Sequence, residues 1–178
     1  MAGRQLLLVA LGVGAASAAM TCPGSSAPLF HTGMEITSTA SVSCQEVQSE
    51  IEMRVDGQYS RWHDPHNNGT YAAASFGGTA SFTRRTGDGK YTDKMIFTLT
   101  PEGSQCKIEA CSESQVTSGL DFGTNYCNLK MLYCGSADGC KPVKYDFTTS
   151  GEVTKKKAQA SVDMKACLKV AEKKHMVV

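Results

Sequence analysis

The sequence predicts a disulfide-bonded α+β domain: one helix packed on an antiparallel meander of about five strands, with a short C-terminal helix. Three observations predict it. Eight cysteines all lie beyond the first twenty of the 178 residues. A single amphipathic pattern with helical spacing covers residues 44–55. Turn-separated segments of period two fill much of the remainder, without helical patterns between them, which argues for antiparallel pairing.

Residues 1–19 are set aside first. Arg4, the apolar run Leu6–Val13 and the small residues Ala16, Ser17 and Ala18 have the layout of a secretory signal peptide. That run falls well short of the ~18 residues needed to span a bilayer, so no transmembrane anchor is expected. Residues 20–178 then form one secreted or secretory-lumen domain, long enough for a real core. Loss of Arg4 leaves 17 basic and 17 acidic groups. A neutral chain lacks the basic surface a nucleic acid requires, so no nucleic-acid partner is expected.

The elements follow in chain order. Residues 20–40, rich in Ser, Thr, Gly and Pro, read as an irregular lead-in pinned by Cys22. Ser43 and Glu46 have capping-box spacing; Cys44, Val47, Ile51 and Val55 share one helical face, and Asp56-Gly57 supplies a stop. This predicts a helix over Cys44–Val55. A loop from Trp62 to Gly69 precedes the strands. Ala80 and Phe82 alternate with Ser81 and Thr83, Met95, Phe97 and Leu99 alternate with Lys94, Ile96 and Thr98, and the turn Thr86-Gly87-Asp88-Gly89 lies between. Cys106, Ile108 and Ala110 predict a third strand, Leu129, Met131 and Tyr133 a fourth, and Val143, Tyr145 and Phe147 a fifth. Ala160, Met164, Cys167, Leu168 and Ala171 fall at helical spacing in a Lys-rich tail.

An even number of cysteines in an exported chain predicts four disulfides among Cys22, Cys44, Cys106, Cys111, Cys127, Cys134, Cys140 and Cys167. No Cys-x-x-Cys pair suggests zinc. Extended backbone would hold Cys106 and Cys111 about 16 Å apart, too far for a bridge, and the same separates Cys127 from Cys134. Cys134 and Cys140 flank the turn 135–139 and are expected to pair.

Chemistry concentrates in Trp62-His63-Asp64-Pro65-His66-Asn67-Asn68-Gly69-Thr70. His63 and His66 are candidate metal ligands, with Asp64 able to ligate or orient a ring. The opposing reading is a rigid type I turn, since Asp and Pro favour its first two positions. Asn68-Gly69-Thr70 is a glycosylation sequon. No Gly-x-Ser-x-Gly elbow accompanies the imidazoles. A ribonuclease-like arrangement would draw on His66, Arg84, Arg85 and Glu109, against the neutral overall charge. Tyr59, Trp62 and Tyr71 bracket the loop, as ligand anchors or as packing beneath it. No catalytic residue and no cofactor is assigned.

The segments Trp62–Tyr71 and Tyr126–Gly135 resemble small uncharacterised exported, cysteine-containing proteins of marine microalgae, a resemblance that implies no activity. The sequence therefore predicts a secreted, disulfide-stabilised binding or interaction module for an unknown extracellular or luminal ligand. The alternative is a small secreted hydrolase or metalloprotein centred on His63, Asp64 and His66. A third reading gives the Lys-rich tail an anionic surface to bind.

Overall fold

A computed structural model describes residues 20–58, 60–75 and 79–169. The leader-like segment 1–19 and the end of the Lys-rich tail lie outside them. Nine principal elements follow in chain order: β1 (Gly33–Ala40), α1 (Cys44–Gly57), β2 (Thr70–Ser75), β3 (Thr79–Arg85), β4 (Thr92–Glu102), β5 (Gln105–Ser114), α2 (Thr124–Lys130), β6 (Thr149–Lys157) and α3 (Met164–Cys167). The six strands make one antiparallel sheet in the order β2-β3-β4-β5-β1-β6. The α+β prediction stands, and so does the expected antiparallel succession of β3, β4 and β5. Beyond β5 the sheet continues with the earliest strand and the latest one.

One face of this sheet is the core. Cross-strand partners share a face, so the register Ala80–Phe97–Ala110–Ile36 lines up one apolar row and Phe82–Met95–Ser112–Met34 the next. Both long helices cover this face. Helix α1 has its Ser43 capping box and buries Val47, Ile51 and Val55; Cys44 bonds to Cys106, whose side chain lies in register with Ile108. Helix α2 packs on β5, β1 and β4. The opposite face is largely half-exposed and carries ion pairs such as Lys155–Glu35 and Lys107–Glu109. Strand β6 forms an edge whose three consecutive lysines, Lys155 to Lys157, discourage further strand pairing.

Several expectations need correction. The fourth expected strand, around Leu129, Met131 and Tyr133, is helix α2 and the turn after it. The fifth, Val143–Phe147, is a non-strand segment whose N–H groups at 143, 144 and 145 donate to the Glu50 carboxylate instead of to a neighbouring strand. The lead-in is only partly irregular, because its residues 33–40 are β1, flanked on both sides in the sheet. Strands β2 and β6 were not expected. The C-terminal helix is a single turn, Met164–Cys167, N-capped by Asp163.

Four disulfides close: Cys22–Cys111, Cys44–Cys106, Cys127–Cys167 and Cys134–Cys140. The expected Cys134–Cys140 bridge is present, across a turn whose Gly139 has φ +86°. Cys106 and Cys111 find separate partners, since an odd spacing puts them on opposite faces of β5. Cys127 and Cys134 also pair elsewhere, although the backbone between them is helix and turn rather than strand. Reduction of the protein is expected to add about eight mass units, two per bridge, with no free thiol alkylated beforehand. Intact mass spectrometry before and after reduction checks it; a smaller shift would mean an unformed bridge.

Candidate ligand-binding site

The residues of the histidine loop go three separate ways. Asp64 is fully buried and forms an ion pair with Arg84 across 2.6 Å, with both side chains inaccessible to solvent. The same oxygen accepts from Tyr71 Oη at 2.9 Å, and Asp64 Oδ1 accepts from the His66 backbone N–H at 2.9 Å. Arg84 Nη2 also donates to the His66 carbonyl. Burial alone would lower the arginine pKa, yet the Asp64 carboxylate and Tyr71 hold it above its ordinary value. The turn is therefore a buried electrostatic clasp. Gly69 belongs to it, because a Cβ there would collide with the Arg84 guanidinium.

His63 is exposed and lines two shallow depressions on the side of Trp62 and Gln58. His66 is buried and lines a different cavity. Its Nδ1 lies 3.1 Å from the Ala166 carbonyl, which only accepts, so Nδ1 carries the proton. Nε2 then accepts from Thr124 Oγ1 at 3.2 Å and from Asn67 Nδ2 at 3.0 Å. Burial chiefly, with the nearby Arg84 charge, pushes the imidazole pKa below its usual value and keeps the ring neutral. Among the described residues, no group of three or more His, Cys, Asp or Glu side chains is placed to hold a metal ion. Trp62 and Tyr71 are buried against each other, ring centroids 6.0 Å apart, so both pack beneath the loop. Asn68 is exposed, with φ +50°, at the tip of the turn.

The cavity that His66 lines measures about 400 Å³ and brings exposed apolar side chains together with buried polar ones. Its floor grows out of the sheet. The register that gives apolar rows further along gives, at this end, the row Tyr71–Arg84–Asp93–Ser114, with Thr32 beside Ser114. These polar side chains occupy core positions, and they are held by one another and by α2, with Arg84 Nη1 and Asn128 Oδ1 left without a partner. Asn128 Nδ2 donates to Asp93 Oδ2 at 2.9 Å and to Ser112 Oγ at 3.1 Å. Ser112 Oγ donates to Asn125 Oδ1 at 2.7 Å, and Asn125 Nδ2 donates to Thr32 Oγ1 at 3.1 Å. Thr32 and Ser118 hydroxyls meet at 2.9 Å. The result is a continuous chain from Asp93 to Ser118 in which each amide is locked in orientation.

Asp121 organises the start of α2. Its two carboxylate oxygens receive the N–H groups of Gly123, Asn125 and Ser161 and the Asn125 side-chain amide, between 3.0 and 3.3 Å. Asp93 is treated differently. It is 2 % exposed, and burial lifts its carboxyl above the ordinary range despite hydrogen bonds from Asn128 and Ser114 and the field of Arg84.

The rim is apolar. Phe122 is 79 % exposed, Leu120 59 % and Tyr91 47 %, and all three line the cavity. Phe122 has φ +50°, a left-handed conformation that costs a bulky residue free energy and aims its ring outward. Phe30, also exposed, abuts the neighbouring Gly119. Comparison with protein-family models, curated proteins and solved structures finds no match for this chain. Of the residues around this cavity, the sequence pattern points to His66 alone. A usable signal was present in β4 and β5: the period-two core registers Phe97-Met95 and Ala110-Ser112 run on into Asp93 and Ser114, carboxyl and hydroxyl groups at positions the pattern reserves for apolar side chains.

Proposed function

We propose that this protein is a secreted, disulfide-stabilised binding module whose ligand occupies the cavity between Tyr91, Leu120 and Phe122 at the rim and Asp93 and Asn125 at the floor. The observation that carries this reading is the strained, outward-facing Phe122 over a buried, fully ordered polar floor. Solitary exposed apolar residues are ordinary on proteins, but a cluster around a concavity of this volume marks a contact surface. Export is supported by the leader-like pattern of residues 1–19 and by four disulfides. A glycan on the Asn68 sequon would sit at the tip of the turn, on a residue outside the cavity's lining.

Nile red, a neutral apolar dye, tests the pocket. Saturable fluorescence enhancement is expected with the native protein and is expected to vanish in a Leu120→Ser, Phe122→Ser double variant. A Val153→Ser control, altering an exposed apolar residue on β6, should bind as the native protein does. Equal enhancement in the double variant would overturn the assignment.

A hydrolase reading draws on one specific contact, the Thr124 hydroxyl donating to a neutral His66 whose other nitrogen is fixed by a carbonyl, the geometry of an activated nucleophile. Against it, the N–H groups beside Thr124 are already given to Asp121, so no pair of donors awaits an oxyanion. Turnover of activated esters that disappears in Thr124→Val would favour this reading over simple binding.

A further inference from the structure

We propose that the ligand of this cavity is a small amphipathic amine, its ammonium group seated at Asp93 and its apolar or aromatic body held between Tyr91, Leu120 and Phe122. The inference rests on the cavity being a binding site and adds the charge and shape of what enters it.

Charge complementarity decides the class. The residues lining the cavity include two carboxyl groups and, among the described residues, neither lysine nor arginine. Asp121 is saturated, since four N–H donors from Gly123, Asn125 and Ser161 occupy both its oxygens. Asp93 receives only neutral donors, the Asn128 amide and the Ser114 hydroxyl. The nearest cation is Arg84, its cross-strand neighbour on β3, but that guanidinium directs two nitrogens at Asp64. His66 brings no charge, because its one proton faces the Ala166 carbonyl. Asp93 is thus a buried carboxyl without an ionic partner at the base of a cavity.

Each ligand class meets this arrangement differently. An anion would bring like charge into a low-dielectric recess with no donor array to receive it. A neutral apolar molecule would gain only the rim and leave Asp93 without an ionic partner. An ammonium donates hydrogen bonds to the carboxylate and supplies the missing charge, while its carbon skeleton covers the apolar rim; the Tyr91 and Phe122 rings also attract a cation through their π faces. The volume, about 400 Å³, suits a small molecule rather than a polymer.

Three near-isosteric probes separate the possibilities: 2-phenylethylamine, 2-phenylethanol and 3-phenylpropionate, titrated into the intact disulfide-bonded protein and followed by calorimetry at neutral pH. The amine is expected to bind roughly tenfold or more tightly than the alcohol, and the carboxylate weakest. In Asp93→Asn the amine should lose that advantage and match the alcohol. Nile red binding by the same variant verifies that its rim is intact, and the comparison of probes on the native protein decides the question even if the variant does not fold. Equal affinity for amine and alcohol, or preference for the carboxylate, would overturn the amine assignment while Nile red binding leaves the pocket standing. Failure of all three probes and of Nile red would overturn both.

Discussion

Replacing Asp64 with asparagine is expected to lower the unfolding free energy by about 3–5 kcal/mol, the range for removing one partner of a buried ion pair. The cost comes from what stays behind. Arg84 is fully buried, its Nε and Nη2 aim at Asp64, and its Nη1 has no hydrogen-bond partner. Neutralising the carboxylate leaves a guanidinium charge desolvated inside the sheet. Asparagine keeps a single acceptor oxygen, so one of the two donors now served by Asp64, the Tyr71 hydroxyl or the His66 N–H, faces an amide NH2 instead. Urea unfolding at neutral pH measures the effect. The double variant Asp64→Asn, Arg84→Met should recover much of the loss, because a pair replaced by apolar packing no longer carries an orphaned charge. A single-variant loss below about 1 kcal/mol would place the pair in the weak class of solvent-exposed bridges. Variants that fold should also bind Nile red less well, since the clasp sets the position of His66 at the cavity.

Glu50 should matter comparably, by a different route. Its carboxylate accepts from the backbone N–H groups of Val143, Lys144 and Tyr145, each at 2.7–2.8 Å, and from Arg54 Nε at 2.8 Å. Arg54 in turn donates to the carbonyls of Met131 and Cys134 at 2.7 Å. The Glu50–Arg54 pair thus ties α1 to the chain after α2, through Arg54, and to the segment that leads into β6, through Glu50. Glu50→Ala is expected to cost about 3–5 kcal/mol, because it orphans a buried charge and the three N–H donors together.

The same group predicts a pH dependence. Burial pushes the Glu50 carboxyl upward, but the three backbone donors and Arg54 outweigh it and hold it below the ordinary carboxyl range. A depressed folded-state pKa contributes stability that is complete above the unfolded-state value of about 4.3 and is lost as pH falls through the lower folded value. Acid unfolding below about pH 4 should therefore be less steep in Glu50→Gln than in the native protein. Parallel stability profiles in that window would exclude the contribution.

How much of this was legible in the sequence depended on whether local pattern and tertiary burial agreed. Helix α1 was readable because its cap, period and stop coincide, and β4 and β5 because Met95, Phe97, Ile108 and Ala110 alternate cleanly. Helix α2 was not. Its residues from Asn125 to Lys130 are buried all round, which erases any amphipathic stripe, and Leu129, Met131 and Tyr133 then mimic a strand. Its cap is Gly123 in the left-handed region with Asp121 two residues before it, not a side chain at the N-cap itself. Strand β1 escaped notice because its inward positions include Ser38, and β6 because both its faces are mostly exposed. The histidine loop was visible as a dense group of polar residues, and its spacing could not reveal that Asp64 would turn inward to Arg84, twenty residues away. The cavity assembles Thr32, His66, Asp93 and Asn125, remote in the chain and adjacent only once β1 lies beside β5.

The place of β1 between β5 and β6 also sets a timetable for folding. The first strand to be synthesised is one of the last to be enclosed, because its partners begin at Gln105 and Thr149. Until they emerge, β1 offers two open edges, and the row Met34, Ile36 and Ala40 has no covering layer. Contacts of such long sequence separation close slowly, and the exposed strand is open to pairing with other nascent chains meanwhile. The Cys44–Cys106 and Cys22–Cys111 bridges join the chain on either side of β1 to two positions within β5. An oxidising environment would thus help recruit β1 to its neighbour, so that thiol pairing governs the yield of native sheet as well as its final stability.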